Sequence, residues 1–304
     1  MADITMEESL SEKLVRPFDW KQLMRDYYDL SKPGIGFYAL ITTAASFWLA
    51  SSGAMDWVLF VKTMVATSLV TCGGGALNQV LEVGADGQMH RTENRPLPSG
   101  RVAVSSGLIF GIVSSIAGVL LMQLLVGDLA TLLAVATLVG YLFVYTPLKK
   151  KTPFSTIVGA FPGAVPILIG WVAVKGSIDL RGWVLFAILF FWQIPHFLAI
   201  AWMYRKDYAR AGFPMLTVVD PEGFRAAQQV IIYVLGLIPI SLMPSVLHLT
   251  GWVYFFGALV LGIGFSVSGI RTAFTRTNAS AKQLLFASIL YLPLLLALMV
   301  VDKA

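Results

Sequence analysis

Residues 57–101, "WVLFVKTMVATSLVTCGGGALNQVLEVGADGQMHRTENRPLPSGR", decide how the rest of the chain is read. The first half is apolar apart from Lys62 and is long enough, as a helix, to cross about 30 Å of hydrocarbon. The second half abruptly presents Asn78, Glu82, Asp86, Arg91, Arg95 and Arg101. An apolar span that ends in a dense polar cluster belongs to a chain built for lipid, with chemistry at the membrane boundary.

Composition agrees. The 304 residues are 57% hydrophobic and 13% charged, with a mean hydropathy of +0.76. Soluble domains carry about 25% charged residues, so the class is a polytopic membrane protein. The first twenty residues, "MADITMEESLSEKLVRPFDW", are of mixed charge without an apolar stretch, which predicts no cleaved signal peptide. A lone cysteine, Cys72, excludes an internal disulfide and a cysteine metal cage.

Membrane-length apolar runs fall near 36–53, 57–82, 102–122, 127–146, 154–174, 182–203, 227–248, 251–274 and 283–301. The expected fold is therefore an all-α polytopic membrane protein with about nine transmembrane helices. A single domain is expected over 1–304, with 1–33 as a cytoplasmic N-terminal segment. Basic residues test that map. Of the 22 Lys and Arg, all but Lys62, Lys175, Arg181 and Lys303 lie on alternate connections, from Lys13 and Arg16 through Lys149, Lys150 and Lys151 to Lys282. The positive-inside rule then puts the N-terminus in the cytoplasm and the C-terminus outside. Topology accounts for the net charge of +5, so no nucleic-acid partner is needed.

The connections on the basic side hold nearly all the titratable groups. Asn78, Glu82 and Asp86 are spaced i, i+4, i+8; each step of four turns a helix by about 40°, so the three share one face. They sit at a helix C-terminus, already the negative end of the dipole, and two carboxylates there call for a cation. Arg91, Arg95 and a divalent metal are the alternatives. Oxygen ligands without Cys or His point to a hard ion such as Mg²⁺, whereas a plain Glu–Arg pair at a solvated helix end fits the spacing too. The "GGG" at 73–75 admits a close backbone or ligand, or ordinary helix packing.

Two further clusters lie on the same side. In "AWMYRKDYARAGFPML", Asp207 stands among Arg205, Lys206 and Arg210; in "YTPLKKKTP", Tyr145 precedes Lys149, Lys150 and Lys151. Both read either as phosphate-neutralising groups or as topology signal. His196 lies inside the sixth span, flanked by Trp192, Pro195 and Phe197. It suits haem ligation, stacking on a planar molecule, or a hydrogen bond to a neighbouring helix. No P-loop is present.

At these residues the chain resembles the UbiA superfamily of intramembrane prenyltransferases, most closely its haem-prenylating branch. The likeness runs through "DLSKPGI" (29–35), "NQVLEVGADGQMHRTENRPLPSGRV" (78–102), "YTPLKKKTPFSTIVGAFPGAVPILIGW" (145–171) and "WQIPHFLAIAWMYRKDYARAGFPML" (192–216). The superfamily's second motif carries two or more aspartates; here Asp207 stands alone after Lys206, as the haem branch tolerates. Thr217 replaces that branch's usual proline. The resemblance implies a UbiA-type bundle in the bacterial inner membrane with its active site at the cytoplasmic face. It further implies farnesyl diphosphate and haem B as substrates, with a downstream haem-modifying membrane enzyme as partner. Asn78, Glu82, Asp86 and Asp207 would be the catalytic Mg²⁺ ligands. Lys32, Arg91, Arg95, Tyr145, Lys149, Lys150 and Lys206 would bind the diphosphate, and His196 would orient the haem. Two other readings stay open on the residues alone: a superfamily member with an aromatic or quinone acceptor, and a non-catalytic haem-binding or transport protein.

Overall fold

The computed structural model describes residues 19–304; Lys13 and Arg16 lie outside them. A short helix comes first, α1 (Trp20–Leu30), opened by Asp19, whose carboxylate accepts from the Lys21 and Gln22 amides. Nine membrane-length helices follow among the described residues: α2 (Pro33–Ala50), α3 (Trp57–Asp86), α4 (Val104–Leu125), α5 (Asp128–Leu148), α6 (Ser155–Lys175), α7 (Leu180–Met203), α10 (Phe224–Val246), α11 (Trp252–Thr275) and α12 (Asn278–Val301). Between α7 and α10 lie two short helices, α8 (Arg205–Arg210) and α9 (Leu216–Val219).

The nine expected spans all appear, with shifted ends. Pro33, pre-set for a first helical turn, starts α2 early, and α3 runs on to Asp86, so the polar trio is helical throughout. A capping box between Thr277 and Ser280 starts α12 at Asn278. Pro162 and Pro166 sit inside α6, where neighbouring side chains bond the backbone: Thr43 Oγ1 donates to Pro166 O at 2.9 Å and Gln193 Nε2 to Ala160 O at 3.4 Å. Two of the four exceptional basic residues also have a task. Lys175 Nζ reaches Ser52 Oγ at 3.2 Å, and Lys303 Nζ reaches Trp48 O at 2.7 Å, so both serve the C-terminal end of α2.

Small residues set the helix spacing. A Cβ on Gly73 would lie 2.2 Å from Ser115 Oγ, and one on Gly118 would lie 2.6 Å from Val70 N, so α3 and α4 pack backbone to backbone. At Gly75 a Cβ would meet Ser31 O at 2.8 Å. The triple glycine therefore serves backbone approach, and Gly75 lets the α1–α2 corner rest on α3. Lys32, at that corner, adopts φ 53, uncommon for a side chain of its size.

The α2–α6 contact is equally tight, since a Cβ on Gly170 would fall 2.1 Å from Thr43 O and 2.2 Å from Ser46 Oγ. Gly170→Ala is expected to cost about 1–3 kcal/mol by overpacking, seen as a lower Tm and lower monodisperse yield in detergent. Gly264→Ala, on α11 with nothing within 4 Å, is the control and should leave both unchanged.

Candidate functional site

Asn78, Glu82 and Asp86 are all buried, at 0%, 3% and 1% exposure, which rules out a solvated helix end. Each meets a cation. Lys32 Nζ donates to Asn78 Oδ1. Lys149 Nζ lies 2.8 Å from Glu82 Oε1, and Arg95 Nη1 lies 2.7 Å from Asp86 Oδ2. Two acids and an amide at the negative end of a helix are thus met by groups from three other parts of the chain.

The cations are shaped by this setting. Burial lowers the Lys32 pKa to about 7, against a smaller opposing pull from Glu82. Burial also disfavours the Lys149 charge, but Tyr145 and Glu82 beside it outweigh that effect, and its pKa lies above the ordinary lysine value.

Helix α5 supplies a part that periodicity does not reveal. Its residues Gly140–Tyr145 form π-helical turns just before Pro147. A proline there cannot donate to the carbonyl four residues back, and its ring crowds that carbonyl; a widened turn relieves both. Such turns concentrate at functional sites. Here the turn stacks Tyr141 on Tyr145 at 5.6 Å, and Thr146 Oγ1 donates to Tyr141 O. Asn78 Nδ2 then donates to Thr146 Oγ1 at 2.8 Å, while Lys32 Nζ reaches Tyr141 Oη at 3.5 Å. Pro147 was the available signal, but it marks a disturbed helix without saying which side chains the disturbance redirects.

Asp207 joins from α8. Its Oδ2 accepts from the Arg91 amide at 3.2 Å, and its Oδ1 lies 3.4 Å from Arg210 Nη2. The Arg91 guanidinium stands 5.0 Å from the Tyr204 ring centre and 5.7 Å from that of Tyr208, donating to Tyr208 Oη at 3.2 Å. Lys149 Nζ similarly lies 4.9 Å from the Phe213 ring and 5.5 Å from Tyr145. Loop 87–103 and segment 204–213 are thereby tied together over the end of α3. That loop is braced from behind by Arg101, whose Nε lies 2.8 Å from the buried Asp26 of α1.

Two expected site residues stand apart. Lys150 and Lys206 are exposed and touch none of these carboxylates; in the runs KKK and RKD, only the tertiary position distinguishes Lys149 and Asp207 from their neighbours. His90 is an exposed partner of Glu93 at 3.5 Å. His196 lies on α7, half-buried and away from any acid, with Nδ1 2.8 Å from Ser288 Oγ and its ring stacked on Trp192 at 5.0 Å.

A metal is accommodated in one particular way. Among the described residues no three His, Cys, Asp or Glu groups converge as a complete ligand set. Among the described residues, Glu82 and Asp86 each commit one carboxylate oxygen to a cation and keep the other free of hydrogen bonds. Oxygen donors of this kind suit a hard divalent ion that takes its remaining ligands from a bound phosphate.

Similarity to known proteins runs along the whole described bundle. The model of the UbiA prenyltransferase family matches residues 39–291. The chain is 46% identical over 289 residues to a protoheme IX farnesyltransferase of Solibacter usitatus, covering 92% of this chain and 99% of that one. It is 43% identical to a protoheme IX farnesyltransferase of Salinibacter ruber, with coverage of 92% and 99%. Among solved structures, a digeranylgeranylglyceryl phosphate synthase superposes with a TM-score of 0.74 at 17% identity, over 92% of this chain and 98% of that one. A UbiA homolog from Archaeoglobus fulgidus, bound to GPP and Mg²⁺, gives 0.69 at 13% identity, over 90% and 99%. By family model and by close relatives alike, this chain belongs to the UbiA prenyltransferase family.

Proposed function

We propose that the chain transfers the farnesyl group of farnesyl diphosphate to a vinyl group of haem B, producing haem O and diphosphate. The observation that carries the chemistry is the buried face of Asn78, Glu82 and Asp86 set against Lys32, Lys149 and Arg95. The acceptor is supported by protoheme IX farnesyltransferases 46% and 43% identical to it.

In this reading the allylic C–O bond breaks and the diphosphate leaves with the electron pair. Lys32, Lys149, Arg91 and Arg95 neutralise its growing charge from fixed positions. Asn78, Glu82, Asp86 and Asp207 would hold a divalent ion such as Mg²⁺, which would supply further positive charge to the leaving group. Tyr145, in ring contact with Tyr141 and Lys149, offers an aromatic face to the allylic cation. The vinyl carbon then bonds to the farnesyl carbon, and water adds to the resulting cation and loses a proton, which yields the hydroxyethyl arm. No general base is required for ionisation. Lys150 and Lys206 are not part of this clamp. His196 orients the haem from α7.

The clamp faces the cytoplasm of the bacterial inner membrane, with the C-terminus outside and the N-terminus inside, in keeping with the basic connections. A single domain carries the activity. The product is membrane-soluble and passes to a haem-modifying membrane enzyme.

Glu82→Ala and Asp207→Ala are each expected to lower haem O formation at least about 100-fold, measured in membranes supplied with farnesyl diphosphate, Mg²⁺ and haem. Full activity in both variants removes the metal–diphosphate assignment. His196→Ala should weaken haem binding while leaving diphosphate binding intact; an unchanged haem affinity rules His196 out. Alkaline phosphatase fused after Ala304 should be active and the same reporter fused within 87–103 inactive, and the reverse pattern inverts the topology.

A further inference from the structure

His196 is held by more contacts than a half-buried histidine in a membrane span requires. Trp192, one turn earlier, stacks on its ring at 5.0 Å and 26°, and Phe197 meets it edge-on at 5.6 Å. Trp192 is itself anchored, since its Nε1 donates to Ser288 O on α12 at 2.8 Å and Tyr38 of α2 backs its ring at 5.6 Å. The same Ser288 that holds Trp192 through its carbonyl holds His196 through its hydroxyl, at 2.8 Å from Nδ1. Ser288 is fully buried, at 0% exposure.

The contacts of the hydroxyl favour one placement of the imidazole proton. A serine has one O–H, and Ser288 Oγ lies 2.6 Å from Leu285 O, a group that only accepts. With that proton committed, Oγ faces Nδ1 with a lone pair, so Nδ1 carries the hydrogen. A neutral imidazole has one N–H; Nε2 is therefore a bare lone pair, and no group among the described residues donates to it. Nε2 is not sealed within the protein, so it is open to a ligand that enters beside α7. A donor bond from Nδ1–H to a fixed oxygen, with Nε2 left open, is the arrangement that orients a metal-binding histidine and strengthens it as a donor.

We propose that Ser288 is a positioning residue that locks His196 as the Nδ1–H tautomer and aims Nε2 at the iron of a bound haem as its axial ligand. The inference rests on the reading of haem as acceptor and adds how the haem is held and by which atom. Its consequence is that α12, remote in sequence from the diphosphate clamp, takes part in acceptor binding.

The test uses the full chain in lipid nanodiscs, titrated with ferric and ferrous haem B and followed by absorption and resonance Raman spectroscopy. The expected results are an iron–histidine stretch in the wild type, its loss in His196→Gly, and its recovery on adding imidazole. Ser288→Ala should lower haem affinity about tenfold or more and move the iron–histidine stretch to lower frequency, because Nδ1–H has lost its acceptor. Ser288→Thr, which keeps the hydroxyl, should restore both. If Ser288→Ala gives no monodisperse protein, Ser288→Cys carries the same comparison with a weaker acceptor. A wild-type stretch retained in the variant that lacks the hydroxyl overturns the role of Ser288. Haem bound to the wild type without an iron–histidine stretch overturns ligation while sparing the acceptor reading; a wild type that binds no haem overturns both.

Discussion

Glu82 sits where a carboxylate is least welcome, buried near the negative end of α3 with Asp86 one turn beyond it. Its pairing with Lys149 at 2.8 Å is what makes that placement tolerable. Removing one partner of such a pair leaves an unbalanced buried charge, at a cost of about 3–5 kcal/mol. Neighbouring parts of the site follow from this need. The end of α5 must bring Lys149 over α3, loop 87–103 must return Arg95 to Asp86, and the α1–α2 corner must carry Lys32 to Asn78. In the proposed reading, the cations that stabilise the acids are also those a diphosphate would engage, so fold and chemistry would draw on one set of charges.

The positions of these charges are set by ordinary packing constraints. Gly75 has no side chain because the carbonyl of Ser31 occupies that space, and only this lets the Lys32 corner come close. Tyr208 and Phe213 pack together with Met89 and Met215 beneath the two loops, fixing Arg91 and Lys149 against aromatic faces. Transport chemistry would put ionisable groups mid-bilayer along broken helices; here they collect at the helix ends and the loops that join them.

Much of this was legible beforehand because lipid makes the one-dimensional signal strong. Nine apolar runs, the alternation of basic connections and the i, i+4, i+8 trio each reflect a rule that acts along the chain. What stayed hidden depends on contacts across helices. Nothing local separates Lys149 from Lys150, or foretells that Tyr141 and Thr146 face Asn78. The triple glycine was ambiguous for the same reason, since the sequence does not say what fills the space a missing Cβ leaves. His196 was visible as an oddity, but its partner Ser288 is a common residue in an apolar helix, with no signal of its own.

The π-helical stretch in α5 has a bearing on how such a site tolerates change. A π-turn carries one residue more than the α-turn it replaces, so deleting one residue from 140–145 lets the stretch close into α-turns with everything after it still in register. Lys149 would then keep its place beside Glu82, whereas the same deletion in a regular α-turn would carry it about 100° away. The widened turn is thus a spare residue held in the helix, a place where α5 can shorten without moving the lysine that balances Glu82.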